Sequence, residues 1–473
     1  MHIMKVIRKI SLLLLAAMTP YALFAQNDSV LKFSLKEAQQ YAIQNFYVSK
    51  NAKLDIEKAN KVVQETRAIG LPQINVGSAF QYTPTLSSIV SEFSSLGNLG
   101  TWMYNVDHYI NTQDPNNQAF GHIPDPGPVK QVDPFDLKWT LNGTFTASQL
   151  IFNGSYLVAL QSVKVYKNLS DLSWSKSVED VSESVKNCYF NVLLVRENKM
   201  ILDSTYQNML KTLSEVKAIQ KQGMIDLTDV DQMQLTVTNI KTSLDYITRM
   251  SEISEKLFKI QLGVNIESKV FLTDSLRPLV NTMAYENLIL ADFILDNNVN
   301  YKMLDTQVKA SELLLKLKKS EFLPVLSGYY QYYKEFNPNA ISFNPPHVFG
   351  ASLSVPIFAS GSKIARVSQA KIDLIKAENN RDQLANAIKL DYYNSKSALI
   401  SAHDKYDAAT QNLELAKRIF NNSLIKYSNG LITSIELTQT QNQYLSAQSN
   451  YYASLQELIS ETNKLEKLLS KTE

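Results

Sequence analysis

Two acidic turns recur in this 473-residue chain at matching distances from a glycine. Asp229 and Gln232 stand six and nine residues after Gly223, and Glu436 and Gln439 stand six and nine residues after Gly430. Thr433-x-x-Glu436 has the spacing of a capping box, in which the threonine caps a helix and the glutamate bonds back to the cap amide. Asp226-x-x-Asp229 has the same spacing, and carboxylates in a first helical turn also suit the helix dipole. Little else in the chain could do chemistry. His108, His122, His347 and His403 are scattered without metal-ligand spacing, and the single cysteine, Cys188, has no histidine near it. No glycine-rich phosphate loop is present. The sequence therefore offers no catalytic residue, no cofactor site and no metal site, and enzyme readings are set aside.

The elements that must hold these turns are long. Neither Gly154 to Gly223 nor Gly361 to Gly430, each 69 residues apart, contains a proline or an internal glycine. At about 1.5 Å per residue each run predicts a helix on the order of 100 Å, a length found in coiled coils, tubes and stalks. Gly223 and Gly430 read as left-handed residues ending those helices. After the first turn, Val230, Met233, Val237, Ile240, Leu244 and Ile247 step 3-4-3-4-3, a heptad seam. The matching seam after Gly430, Leu437, Thr440, Tyr444, Ala447 and Tyr451, is more polar. Cys188 falls in a further apolar seam with Val181, Val185, Val192 and Val195 and reads as an inert buried thiol.

The turns belong to a duplication. "LPQINVGSAFQY" from Leu71 pairs with "LPVLSGYYQYY" from Leu323, and "FTASQLIFNG" from Phe145 pairs with "ASLSVPIFASG" from Ala351. The first repeat spans residues 26–286: helix, strand, loop 83–138, strand, long helix, tip turn 222–229, helix, and a segment 264–286 that breaks the helical pattern. The second spans 287–473, with loop 334–346 and tip turn 429–436. Pro72, Pro324, Phe152, Phe358 and Pro356 mark the junctions of strand and helix. The four short segments alternate. Ile74, Val76, Phe80 and Tyr82 oppose Gln73, Asn75, Gly77 and Gln81, while Trp139, Leu141, Phe145 and Ile151 oppose Thr140, Asn142, Thr144, Thr146 and Ser148. Leu326, Tyr330 and Tyr332 oppose Ser327, Tyr329, Gln331 and Tyr333, while Phe349, Ala351, Leu353 and Val355 oppose Gly350, Ser352 and Ser354. Period-two segments with one apolar and one polar face suit a wall between lipid and a wet interior. Four strands cannot close a barrel. Two chains would give eight strands and a filled interior, and three would give twelve and a lumen.

Residues 1–25 read as a secretory signal peptide: basic Lys5, Arg8 and Lys9, an apolar core Ile10–Met18, and a cleavage site ending at Ala25. Removing them takes the formal charge from +2 to −1, which gives no electrostatic reason to expect nucleic acid. No later apolar run is long enough for a spanning helix, so a membrane form would have to be a barrel.

At this point the chain resembles the TolC-type outer-membrane efflux and secretion channel family. The resemblance rests on "FSLKEAQQYAIQNF" from Phe33, on helix-Leu-Pro-strand at Leu71 and Leu323, on Ile-Phe before glycine at both strand-to-helix junctions, and on the duplicated turns. It implies a mainly α protein with a membrane β-barrel: a homotrimer whose twelve strands span the outer membrane of a Gram-negative bacterium and whose helices form a periplasmic tube. It implies that the turns at Gly223 and Gly430, with Asp226 and Thr433, form the tip. There a periplasmic adaptor (membrane fusion) protein and an inner-membrane pump dock, in a tripartite efflux or type I secretion system. It also implies that Glu436 and Gln439, with Asp229, Gln232 and Tyr427, form the constriction. The family's basic partner two residues after the glycine is replaced here by Ile432. Capping and pore-lining remain two readings of Asp229 and Glu436. A soluble periplasmic coiled-coil adaptor, or a non-conducting trimeric surface stalk, would also use heptads, but neither explains two copies and four amphipathic strand segments.

Overall fold

The computed structural model describes residues 31–82, 99–113, 139–283, 285–337 and 344–469. The expected signal peptide and Pro124, Pro126, Pro128 and Pro134 of the first loop lie outside the described residues. The described chain runs β1 (Leu31–Phe33), α1 (Leu35–Asn45), α2 (Tyr47–Ala68), β2 (Gln73–Tyr82), α3 (Leu99–Gln113), β3 (Trp139–Asn153), α4 (Gly154–Lys221) and α5 (Leu227–Leu262). It continues with β4 (Val270–Leu272), α6 (Leu276–Asn281), α7 (Tyr285–Leu290), a short 3-10 turn, α8 (Val299–Ser320), β5 (Val325–Glu335), β6 (His347–Ser354), α9 (Ser362–Ser428) and α10 (Ser434–Leu469). Two compact units emerge, and both draw on both sequence repeats. One holds the described residues within 1–56, 170–305 and 380–473, the other those within 57–169 and 306–379.

The second unit carries an antiparallel sheet in the order β2-β3-β5-β6. Its register answers the question of faces. Val76 pairs with Phe145, Phe145 with Tyr332, and Tyr332 with His347; Ala147 pairs with Tyr330 and Tyr330 with Phe349. Paired residues share a face, so the apolar sides of all four segments coincide. The polar sides coincide too: Asn75 pairs with Thr146 and Thr146 with Gln331, while Ser327 pairs with Ser352. The apolar face is open, with Val76 80% and Phe349 81% exposed. Its aromatic rings touch across strands, Tyr330 with Phe349 at 4.7 Å and Tyr332 with His347 at 5.0 Å between centroids. On the polar face the Tyr329 ring lies across Gly350, where an added Cβ would come within 2.5 Å of it. A bulge between Leu150 and Phe152 shifts the β3–β5 register and pairs Phe152 with Leu326 on the apolar side. Strict alternation from Ile151 would have turned Phe152 to the polar side.

The junctions follow local chemistry. α2 stops at Ala68 and α8 at Ser320, each four residues short of Pro72 or Pro324, because proline can neither donate to nor continue a helix. Pro356 and Phe358 lie in the irregular stretch between β6 and α9, and Phe358 is 86% exposed. Within the first loop, Leu99–Gln113 is helical, which the loop expectation did not include. Its Trp102, Met103, Val106 and Tyr109 recur at three- and four-residue steps, the signal that was passed over. Among the described residues no helix is long and apolar enough to cross a membrane.

In the first unit β1 lies parallel to β4, Phe33 opposite Leu272. Ser34 caps α1 through a capping box with Glu37. The Asp274 carboxylate accepts from the Leu35 amide at 2.7 Å and from the Tyr189 hydroxyl at 2.9 Å, and the same hydroxyl lies 3.1 Å from the Phe33 carbonyl. Burial and the carboxylate push the Tyr189 phenol up, so it stays a donor. Residues 264–286 hold β4, α6 and the start of α7 rather than one helix. In the α4 seam Val181, Val185 and Val192 are buried, while Cys188 is half-buried with its thiol pushed up by burial.

The end of α10 is pinned to α4 by charge. Lys467 reaches Asp180 at 2.6 Å and Glu183 at 2.7 Å, and Lys186 pairs with Glu466. Partial burial works to raise the Asp180 carboxyl, but hydrogen bonds from Lys467 and Lys176 outweigh it and hold it below its ordinary range. A depressed carboxylate contributes stability above its unfolded pKa of about 3.9 and loses it as pH falls through the folded value. Hydrogen exchange of residues 463–469, corrected for intrinsic rate, is therefore expected to stay level from neutral pH down to about pH 4 and to rise below it. Lys467→Met should flatten that acid dependence. Asp274→Ala removes the acceptor of the Leu35 amide and leaves the Tyr189 hydroxyl with the Phe33 carbonyl alone, and should lower unfolding stability by about 1–3 kcal/mol in a denaturant titration.

Candidate functional site at the paired helical turns

Both turns are built alike. Gly223 has φ +76° and Gly430 φ +70°, and an added Cβ would meet nothing within 4 Å at either. Left-handed backbone alone thus demands glycine there. The Gly223 amide bonds to the Gln220 carbonyl and Met224 to Ile219; the Gly430 amide bonds to the Tyr427 carbonyl and Leu431 to Lys426. This is the doubled end-bond of a Schellman motif, which satisfies the last carbonyls of α4 and α9.

The acidic residues then diverge. Thr433 and Glu436 form the expected capping box, each side chain 3.3 Å from the other's amide. Asp226 is the cap residue of α5 but makes no side-chain cap bond. The capping reading of Asp229 is corrected: its carboxylate accepts from the Ser434 hydroxyl across the two turns. Aspartate is one methylene shorter than glutamate and does not reach back to the cap amide, whereas Ser434, 3% exposed, presents its hydroxyl directly. A second tie joins the same helices farther from the turns, where the Thr236 and Thr438 hydroxyls lie 3.3 Å apart.

Tyr427 is half-buried against the apolar cluster of the turns, and burial, then the nearby Asp229 carboxylate, push its phenol up. Ile432 packs on the same cluster. An apolar side chain thus adds to that cluster at the place where the resemblance leads one to expect a basic partner. Gln232 and Gln439 are brought together: both line a groove of about 460 Å³ with Ile435, Thr438, Asn442 and Gln443. The groove carries amides and hydroxyls and no formal charge. Glu436 is exposed but not among its lining residues.

The α5 seam is buried as expected from Val230 to Leu244, with Ile247 half-buried. The α10 seam differs from expectation. Leu437 and Tyr444 are buried, but their companions are Ser434, Gln441 and Gln448; Thr440, Ala447 and Tyr451 are only half-buried. Ser434, Thr438, Asn442 and Gln443 were missed by sequence reasoning because short polar residues near a turn read as solvent-facing. The seven-residue recurrence of Ser434, Gln441 and Gln448 was the available signal. Among the described residues no group of histidine, cysteine and carboxylates could hold a metal.

Residues 290–471 match the outer membrane efflux protein family. No curated protein sequence matches the chain. Three solved structures share its fold at low identity. CusC, described in terms of folding and transmembrane channel formation, is 13% identical with TM-score 0.69, covering 93% of this chain and 92% of its own. The outer membrane protein VceC of Vibrio cholerae is 13% identical with TM-score 0.66, covering 93% and 97%. The CmeC outer membrane channel of Campylobacter jejuni is 15% identical with TM-score 0.68, covering 93% and 87%. These are channel and membrane proteins rather than enzymes. The chain thus matches the outer membrane efflux protein family over its second repeat, and throughout its length it shares the fold of these solved structures.

Proposed function

We propose that three copies of this chain form a channel-tunnel in the outer membrane of a Gram-negative bacterium, the exit duct of a tripartite efflux or type I secretion system. The observation that carries the reading is the sheet register. It gathers the apolar side chains of four strands on one face and Asn, Thr, Ser and Gln on the other, the division required between lipid and a wet lumen. Twelve strands from three chains leave room for such a lumen. On this reading residues 1–25 are the export signal, and α4, α5, α9 and α10 form the wall of a periplasmic tube. The turns at Gly223 and Gly430 are its tip, where an adaptor protein and an inner-membrane pump dock.

Glu436 then supplies one carboxylate per chain at the mouth, three in the trimer, while Gln439 and Gln232 line it with uncharged amides. A ring of carboxylates collects cations and repels anions. Because glutamine also completes a capping box, Glu436→Gln removes the charge and keeps the cap. In planar bilayers the purified protein should give a small, cation-selective conductance, and Glu436→Gln should move its cation-to-anion permeability ratio toward one. An inserted trimer with no conductance, alone or with its adaptor, would favour the non-conducting stalk instead.

The Asp229–Ser434 bond holds the two turns of one chain together, and Tyr427 packs beside it. Hydrogen bonds to charged groups contribute about 1.5–3 kcal/mol, so Ser434→Ala should raise the open fraction in single-channel records by roughly tenfold or more. Tyr427→Phe, which keeps the ring packing, should raise it less. Records identical to wild type for both would remove these residues from the gate.

A further inference from the structure

The buried row of α10 places a polar residue every seven positions: Ser434, Gln441 and Gln448, with Leu455 and Thr462 continuing it. The corresponding residues of the first repeat, Leu227, Gln234 and Lys241, are exposed. α5 buries Met233 and Ile240 instead, whose counterparts Thr440 and Ala447 are half-buried in α10. The two helices thus pack through different flanks of the same duplicated seam. Gln448 finds a partner for its nitrogen in Asn198, 3.0 Å away. Gln441 finds none: it is 1% exposed, and neither its amide nitrogen nor its oxygen has a hydrogen-bond partner. One turn to either side stand Leu437 and Tyr444, in a cluster with Met209, Met233, Ile240 and Phe420. With so little surface, Gln441 is beyond the reach of a second chain unless a helix moves first. An unpaired buried amide opposes its own burial.

We propose that Gln441 is a built-in weak layer in the second turn: its unpaired amide lets α10 part from its neighbours more readily than the apolar flank of α5 would, and so sets which hairpin loosens first. Its use in gating rests on the channel reading above; the weak layer itself does not. The test is hydrogen exchange of the full-length protein in detergent, comparing wild type with Gln441→Leu and with Gln441→Met, the unbranched alternative of similar volume. Amides 437–448 should exchange roughly tenfold more slowly in the variants, while amides 230–241 of α5 change by no more than about twofold. Unchanged or faster exchange at 437–448 in both variants would overturn the proposal. Bilayer records of the same variants separate the two readings. Slower exchange with a smaller open fraction supports both. Slower exchange with unchanged gating keeps the weak layer and removes this turn from the closed mouth.

Discussion

A four-stranded amphipathic sheet with two unpaired edges cannot stand by itself in lipid. Among the described residues β2 and β6 are the edge strands of this sheet, and hydrocarbon offers the backbone of an open edge no hydrogen-bond partner. Closure through other copies is the route that satisfies those groups while leaving the apolar face outward. The rest of the architecture follows from that constraint. On the proposed channel reading, the polar face encloses the lumen.

The duplication supplies near-identical parts and then departs from identity where the turns meet. The Schellman ends at Gly223 and Gly430 match bond for bond. Beyond them, Glu436 serves its own helix while Asp229 serves the other turn. A difference of one methylene separates an intrahelical cap from a tie between hairpins. The buried flanks differ as well, mainly apolar with hydroxyls at Thr236, Ser251 and Ser254 in α5 and amide-bearing in α10. Two copies of one hairpin are thereby given unequal cohesion without a change in backbone plan.

Much of this was legible in the sequence because it depends on local chemistry. Glycine at positive φ, proline after a helix, the Thr433–Glu436 box and period-two strands are each decided within a few residues, and each is found where the pattern puts it. What stayed hidden depends on partners distant in sequence. The β1–β4 pair needs residues 31–33 and 270–272 together. The Asp229 bond needs Ser434, and the true seam of α10 depends on which flank its neighbours cover. α3 was hidden for a different reason: a long loop invites no search for helical spacing within it.

The central pairing of the sheet joins positions very far apart along the chain, as Phe145 opposite Tyr332 illustrates. Helices α4 and α5, by contrast, are assembled from neighbours on either side of the short turn 222–226 around Gly223. Local structure forms quickly and distant pairing slowly. Contact order alone therefore sets the expectation that the long hairpins form before the sheet. The apolar strands are then completed after the helices that adjoin them, α4 following β3 and α8 preceding β5.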